Sequence, residues 1–113
     1  MCEHKQTMTE VVEDDVWLKQ TLALSSDSVS KGNHPFGALL VIQGEKVLEA
    51  RNTVNTESDP SCHAEMNLVR MASKTLSAER RHQAVLYTST EPCAMCAGAI
   101  YWSGIKQIVY ACS

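Results

Sequence analysis

No apolar run in this 113-residue chain approaches the ~20 residues that cross a bilayer. A membrane-spanning protein is therefore excluded as the reading of the sequence. The start, Met1 to Glu13, is polar and acidic and lacks the basic-then-apolar order of a secretion signal, so the expected compartment is the cytoplasm. Internal repeats and low-complexity tracts are absent, which argues against a solenoid or a long disordered segment. Positive charge is not in excess either: 10 Lys and Arg stand against 13 Asp and Glu, for a net charge of −3. A small molecule suits that balance better than a polyanion, so a nucleic-acid partner is not expected. An even cysteine count, the mark of a disulfide framework, is missing too. Five cysteines in a chain without a secretion signal, two of them spaced C-x-x-C, point to metal or redox chemistry.

What is present is an ordinary globular composition, 44% hydrophobic and 20% charged, in a chain of one domain (1–113) long enough to bury a core unaided. Val12, Val16, Leu18, Leu22 and Val29 are loosely spaced for a helix over Thr9 to Ser30, which Gly32 follows as a stop. Phe36 to Ile42 and Lys46 to Ala50 predict two strands joined by a tight turn at Gln43-Gly44-Glu45. Thr53 to Ser61 reads as a loop that delivers the chain to His63, after which Ala64, Leu68, Met71 and Leu76 mark a second helix. Ala84 to Thr88 predicts a third strand, Pro92 opens a short apolar helix that Gly104 ends, and Gln107 to Ala111 predicts a fourth strand. Helices alternating with strands in this order imply an α/β fold, a mixed sheet with helices on its faces.

Three potential metal ligands fall at two predicted helix starts: His63 at one, Cys93 and Cys96 at the other, three apart and so on one helical face. Three protein ligands leave a fourth position for water, the arrangement of a catalytic zinc site rather than a closed structural one. Thiols at a helix N-terminus are expected to have lowered pKa values, which favours the metal-binding thiolate. Glu65, two residues beyond His63, is better cast as a neighbour that moves protons than as a ligand. The opposing readings are a closed zinc site or an accidental C-x-x-C pair. Cys62 reads as a small buried residue, while Cys2 and Cys112 belong to no motif, nor do His4, His34 and His82. Lys74, Arg80 and Arg81, with Glu79 among them, read as a solvated helix end rather than a nucleic-acid patch.

His63-Ala64-Glu65 followed by Pro92-Cys93-Ala94-Met95-Cys96 resembles the signature of the cytidine and deoxycytidylate deaminase superfamily, H-x-E with P-C-x-x-C. The resemblance implies a three-layer α/β/α fold, a Zn²⁺ cofactor, and hydrolytic release of ammonia from the amino-bearing carbon of a purine or pyrimidine, with Glu65 as proton shuttle. His34-Pro35-Phe36-Gly37-Ala38, Arg51-Asn52-Thr53-Val54, Asp59-Pro60 and Ala99-Ile100-Tyr101-Trp102 look most like the guanine and nucleoside deaminases of that superfamily. On that likeness Asn52, Phe36, Ala64 and Trp102 are substrate-binding candidates and a nucleobase or nucleoside, guanine or guanosine first, is the expected substrate. Taken as residues alone, Asn52 suits a base edge or a turn, and Phe36 and Trp102 suit a stacking wall or the core. Superfamily members usually continue past the fourth strand with a helix, a fifth strand and a C-terminal helix. This chain is therefore expected to be a shortened form with an exposed sheet edge, and a homodimer. Two other readings stay open: a tRNA adenosine or cytosine/cytidine deaminase, and a non-catalytic zinc-binding module.

Overall fold

A computed structural model describes residues 4–5 and 11–112 of the chain. Cys2 lies outside the described residues, as do the side chains of His4 and Cys112. The elements are β1 (His4–Lys5), α1 (Val11–Ser30), β2 (Gly37–Ile42), β3 (Glu45–Arg51), α2 (Val54–Glu57), α3 (Ala64–Thr75), α4 (Ala78–His82), β4 (Val85–Thr90), α5 (Ala94–Ser103) and β5 (Gln107–Cys112). All five strands form one sheet in the order β1-β5-β4-β2-β3. The β4–β5 pair is parallel and the others are antiparallel, which makes the sheet mixed.

Two cores sandwich the sheet. Leu18 and Leu24 of α1 pack on Leu39, Val41, Tyr87, Val109 and Ala111. On the other face Leu68, Val69 and Ala72 of α3 and Ile100 of α5 pack on Ala38, Leu40, Ile42 and Leu86. The fold is thus a three-layer α/β/α sandwich. Every residue of β2 is buried, because this strand has neighbours on both edges and helices over both faces, the setting in which a continuous apolar run is expected. Its turn into β3 uses Gln43 and Gly44, both at positive φ (51° and 79°), the two-residue hairpin geometry that matches strand twist.

Helix α1 forms where expected but buries a different face. Of the five apolar residues that suggested it, Leu18 is buried while Val16, Leu22 and Val29 are exposed, and the side chain of Val12 lies outside the described residues. The buried stripe is Asp14, Leu18, Thr21, Leu24 and Ser28, at helical spacing but more than half polar. Each of the three polar side chains has a hydrogen-bond partner, although Asp14 Oδ2 has none. Tyr87 Oη donates to Asp14 Oδ1 at 2.6 Å, Thr21 Oγ1 to the Leu18 carbonyl at 2.7 Å, and Ser28 Oγ to the Asn52 carbonyl at 2.8 Å.

Three further differences have local causes. The segment expected as a loop contains α2, whose first N–H groups are satisfied at a distance: Asn33 Oδ1 accepts from Asn55 and Thr56, and Asn52 Oδ1 from Val54. Arg80 and Arg81 belong to a separate helix, α4, started by Ser77, whose Oγ accepts from Arg80 N. The outer edge of β5 is not left bare, since His4 and Lys5 pair with Tyr110 and Val109.

Gly37 opens β2 beneath α1, where a Cβ would stand 2.5 Å from Leu24 Cβ and 2.8 Å from the Thr21 carbonyl oxygen. Backbone on the α1 side cannot yield cheaply at such a contact. Gly37→Ala is therefore expected to destabilise the fold by about 1–3 kcal/mol, read as a lower midpoint in urea at an unchanged slope. A wild-type midpoint would show that α1 lifts from the sheet without penalty.

Candidate metal centre

Sheet register sets the site. β3 and the turn after it lead the chain to His63, and β4 leads it to Cys93, so α3 and α5 begin side by side over the same end of the sheet. His63 is the N-cap of α3 and Cys93 the N-cap of α5, both extended, with ψ of 156° and 172°. Each carbonyl accepts the first helical hydrogen bond, from Asn67 and Ala97 respectively, as an N-cap should. Neither side chain caps its helix. Both point instead at a shared spot: His63 Nδ1 lies 3.6 Å from Cys93 Sγ and 3.6 Å from Cys96 Sγ. Pro92 accordingly precedes the cap and does not occupy the first helical position. An extended Cys93 between Pro92 and the helix is what turns its sulfur toward His63.

The spacing fits a tetrahedral zinc. Bonds of about 2.3 Å to sulfur and about 2.05 Å to nitrogen at tetrahedral angles place the two ligand atoms roughly 3.6 Å apart. His63, Cys93 and Cys96 are also the only trio of potential ligands drawn together among the described residues, all ligand atoms within 4.8 Å. Burial pushes the Cys96 thiol up, and the Glu65 carboxylate adds to the effect, with a hydrogen bond from Met66 N–H opposing. The helix N-terminus expected to lower that pKa is thus outweighed by desolvation. A divalent cation at the trio reverses the balance, because a coordinated thiol is deprotonated outright.

Glu65 sits in the first turn of α3, only 5% exposed. Burial raises its pKa, opposed by its own backbone N–H, by Thr88 and by the charge of His63. Thr88 Oγ1 donates to Glu65 Oε2 at 3.2 Å. Glu65, His63, Cys93 and Phe36 line one cavity of about 120 Å³ together with Thr90 and Glu91. Thr88, Thr90 and Glu91 were not anticipated. Their signal is faint: on the face of β4 that begins with Leu86, alternate residues turn from apolar to hydroxyl toward the strand's end.

The other candidates are placed elsewhere. Ala64 is fully buried and Asn52 is 2% exposed, its Oδ1 engaged with Val54 N, a turn role. Asn52 lines a separate hollow with Lys31, Asn33, Arg51 and Asn67. Trp102 is 84% exposed, stacked edge-on against Tyr101 at 5.2 Å, and is not among the residues lining the cavity beside His63. Cys62 is buried, as expected. The approach to His63 is braced: Asn67 Nδ2 donates to the Arg51 carbonyl and to Thr53 Oγ1, and Arg70 to Ser61 Oγ and Asn67 Oδ1. Arg81 holds the carbonyls of Leu76 and Ser103.

Residues 11–112 match the family described as the cytidine and deoxycytidylate deaminase zinc-binding region. Guanine deaminase from Bacillus subtilis (strain 168) is 43% identical over 98 residues, covering 86% of this chain and 63% of that protein. An X-ray structure of guanine deaminase from B. subtilis superposes with a TM-score of 0.80 at 42% identity, over 87% of this chain and 63% of that one. A probable cytosine deaminase from Schizosaccharomyces pombe (strain 972) is 38% identical, covering 93% of this chain and 64% of that protein. The tRNA-specific adenosine deaminase of B. subtilis is 37% identical, covering 88% and 62%. This chain therefore spans a little under two thirds of the length of these relatives. Among the described residues no helix is long and apolar enough to cross a membrane. The match over 11–112 and the ligand trio inside it lead to one statement of kinship: the chain belongs to the cytidine and deoxycytidylate deaminase family, in its zinc-binding region.

Proposed function

We propose that the chain is a zinc-dependent deaminase of a free nucleobase or nucleoside, guanine or guanosine first. The observation that carries this reading is a carboxylate, Glu65, buried at the rim of the ligand trio in a cavity it shares with Phe36. A closed structural zinc site has no use for such a carboxylate. Zinc, when bound by His63, Cys93 and Cys96, supplies Lewis-acid chemistry that makes water nucleophilic near neutral pH. Water adds at the amino-bearing carbon, the carbon–nitrogen bond breaks, and ammonia leaves as a carbonyl forms. Glu65 takes the proton from water, passes it to a ring nitrogen, and then moves a proton to the departing amine, all within reach of one carboxylate. Phe36 walls the cavity and offers a flat face to the base. The cavity is well below the roughly 300–1,000 Å³ of drug-sized pockets, which suits a flat nucleobase. Asn52, buried with its oxygen accepting from Val54 N–H and lining a separate hollow, is given no contact to the base.

Similarity to a guanine deaminase favours guanine, and similarity to a tRNA-specific adenosine deaminase keeps tRNA as the second reading. The acidic balance and the use of Arg81 in bracing helix ends speak for the small molecule. A homodimer is part of the proposal. Tyr101 and Trp102, 73% and 84% exposed, stand beside a hollow of about 330 Å³ lined by Ala97, Ile100, Ile105 and Ile108. Two such rings offer on the order of 300 Å². With the hollow, that is under half of the ~800 Å² per partner of a stable interface, the remainder to come from the surface around them, and one copy's rings can enter the other's hollow about a two-fold axis.

Ammonia release by zinc-loaded protein, measured against guanine, guanosine, adenosine, cytosine, cytidine and tRNA, is expected for guanine or guanosine and to fall about 10²–10⁴-fold in Glu65→Gln. Turnover of tRNA alone supports the second reading, and bound zinc without turnover of anything supports a non-catalytic module. Metal analysis is expected to find one zinc per trio, with Cys96→Ser losing it and the zinc-loaded protein melting higher than the chelated one. Zinc retained at full stoichiometry in Cys96→Ser would remove that residue from the ligand set. In sedimentation, the wild type is expected as a dimer and Trp102→Asp as a folded monomer; a monomeric wild type sinks the dimer.

A further inference from the structure

Resting on the reading of Glu65 as proton carrier, we propose that Thr88 is the positioning residue that aims its carboxylate. Thr88 is in the middle of β4, fully buried, paired with Ala38 of β2 on one side and Tyr110 of β5 on the other. Its side chain shares a sheet face with Leu86, beneath α3. Valine is isosteric, has the strand preference, and fits an apolar face better. A hydroxyl buried there is costly unless it is hydrogen-bonded, so its partners reveal its use.

Two acceptors are in reach: Glu65 Oε2 at 3.2 Å and the Gly37 carbonyl at 3.5 Å. One hydroxyl proton serves one of them at a time, and the shorter contact is to the carboxylate. The other donor to the carboxylate among the described residues is the backbone N–H of Glu65 itself. That donor travels with the side chain and cannot by itself relate the carboxylate to the sheet. Thr88 can, because it is held in a strand with hydrogen-bonded neighbours on both edges, and a rigid strand places a polar atom more accurately than a loop does. Glu65 therefore takes its aim from β4, the strand that also delivers Cys93. Carboxylate and ligand are referred to one rigid element.

The test uses Thr88→Val and Thr88→Ser in the zinc-loaded chain, beside Glu65→Gln. Thr88→Val is expected to keep its zinc and its cooperative fold, melting at most a few degrees lower, while kcat falls about ten- to a hundredfold, with KM changed less than about twofold. Thr88→Ser, which restores the hydroxyl, is expected to recover most of kcat. A crystal structure of zinc-loaded Thr88→Val is expected to show the Glu65 carboxylate turned from its wild-type position, a readout independent of turnover. An unmoved carboxylate overturns the proposal, as does wild-type kcat in Thr88→Val when Glu65→Gln is inactive. A fully active Glu65→Gln overturns the proton-carrier reading beneath it and the positioning role with it.

Discussion

The cavity depends on two helix N-termini whose capping side chains are turned away from capping. An N-cap residue normally gives its side chain to the free N–H groups of the first turn. His63 and Cys93 keep the backbone geometry of caps and direct nitrogen and sulfur at each other's helix. The first-turn N–H groups become available to the site, and Met66 N–H on α3 indeed reaches Cys96 Sγ on α5. Both helix dipoles bring their positive ends to the same place, where anionic sulfur is needed. Sheet order makes this meeting possible, since β4 lies next to β2 and leads directly into α5.

A second constraint runs through the sheet. Polar side chains are buried on both faces, and each kind ties an outer element to a strand. Asp14 fastens α1 to β4 through Tyr87, Ser28 fastens the end of α1 to Asn52, and Thr88 links β4 to Glu65. Ser89, on the opposite face of β4 from Thr88, accepts from Gly37 N at the tight contact with α1. Buried hydrogen bonds of this kind contribute only about 1 kcal/mol each, but losing one partner strands the other. They therefore specify where α1 and α3 sit more than they add to stability.

This explains what could be read from the chain and what could not. The ligand trio was legible because metal chemistry restricts residue type, and H-x-E with P-C-x-x-C carries its geometry in short spacing. Strands β2 and β4 were legible because burial on both faces leaves an apolar run. The buried face of α1 was not: the partners that make Asp14 and Ser28 acceptable inside are 73 and 24 residues away. Helix α2 was hidden for the same reason, its first turn being satisfied by Asn33, some twenty residues earlier. Strand β1 has two residues and no period to detect. Trp102 in its family-like setting suggested a pocket wall, and nothing local says that the turn of α5 at Tyr101 and Trp102 faces outward.

Charge links the ligand trio to Glu65. Glu65 and Cys96 are buried, and desolvation favours the neutral form of each, with the Glu65 carboxylate also pushing the Cys96 thiol up. A dication beside two thiolates and a neutral imidazole leaves the ligand set balanced, and the one charge then unaccounted for is that of Glu65. Its local support in the chain is slight: one backbone N–H, the hydroxyl of Thr88 and nearby His63, with no Lys or Arg paired to it among the described residues. A carboxylate clamped by a guanidinium would be held ionised and would make a poor carrier. Glu65 instead sits where burial favours the protonated form, with a hydroxyl, which can donate or accept, as its side-chain partner. Burial without a cationic partner is costly for a structural carboxylate and useful for one that must both take and give a proton.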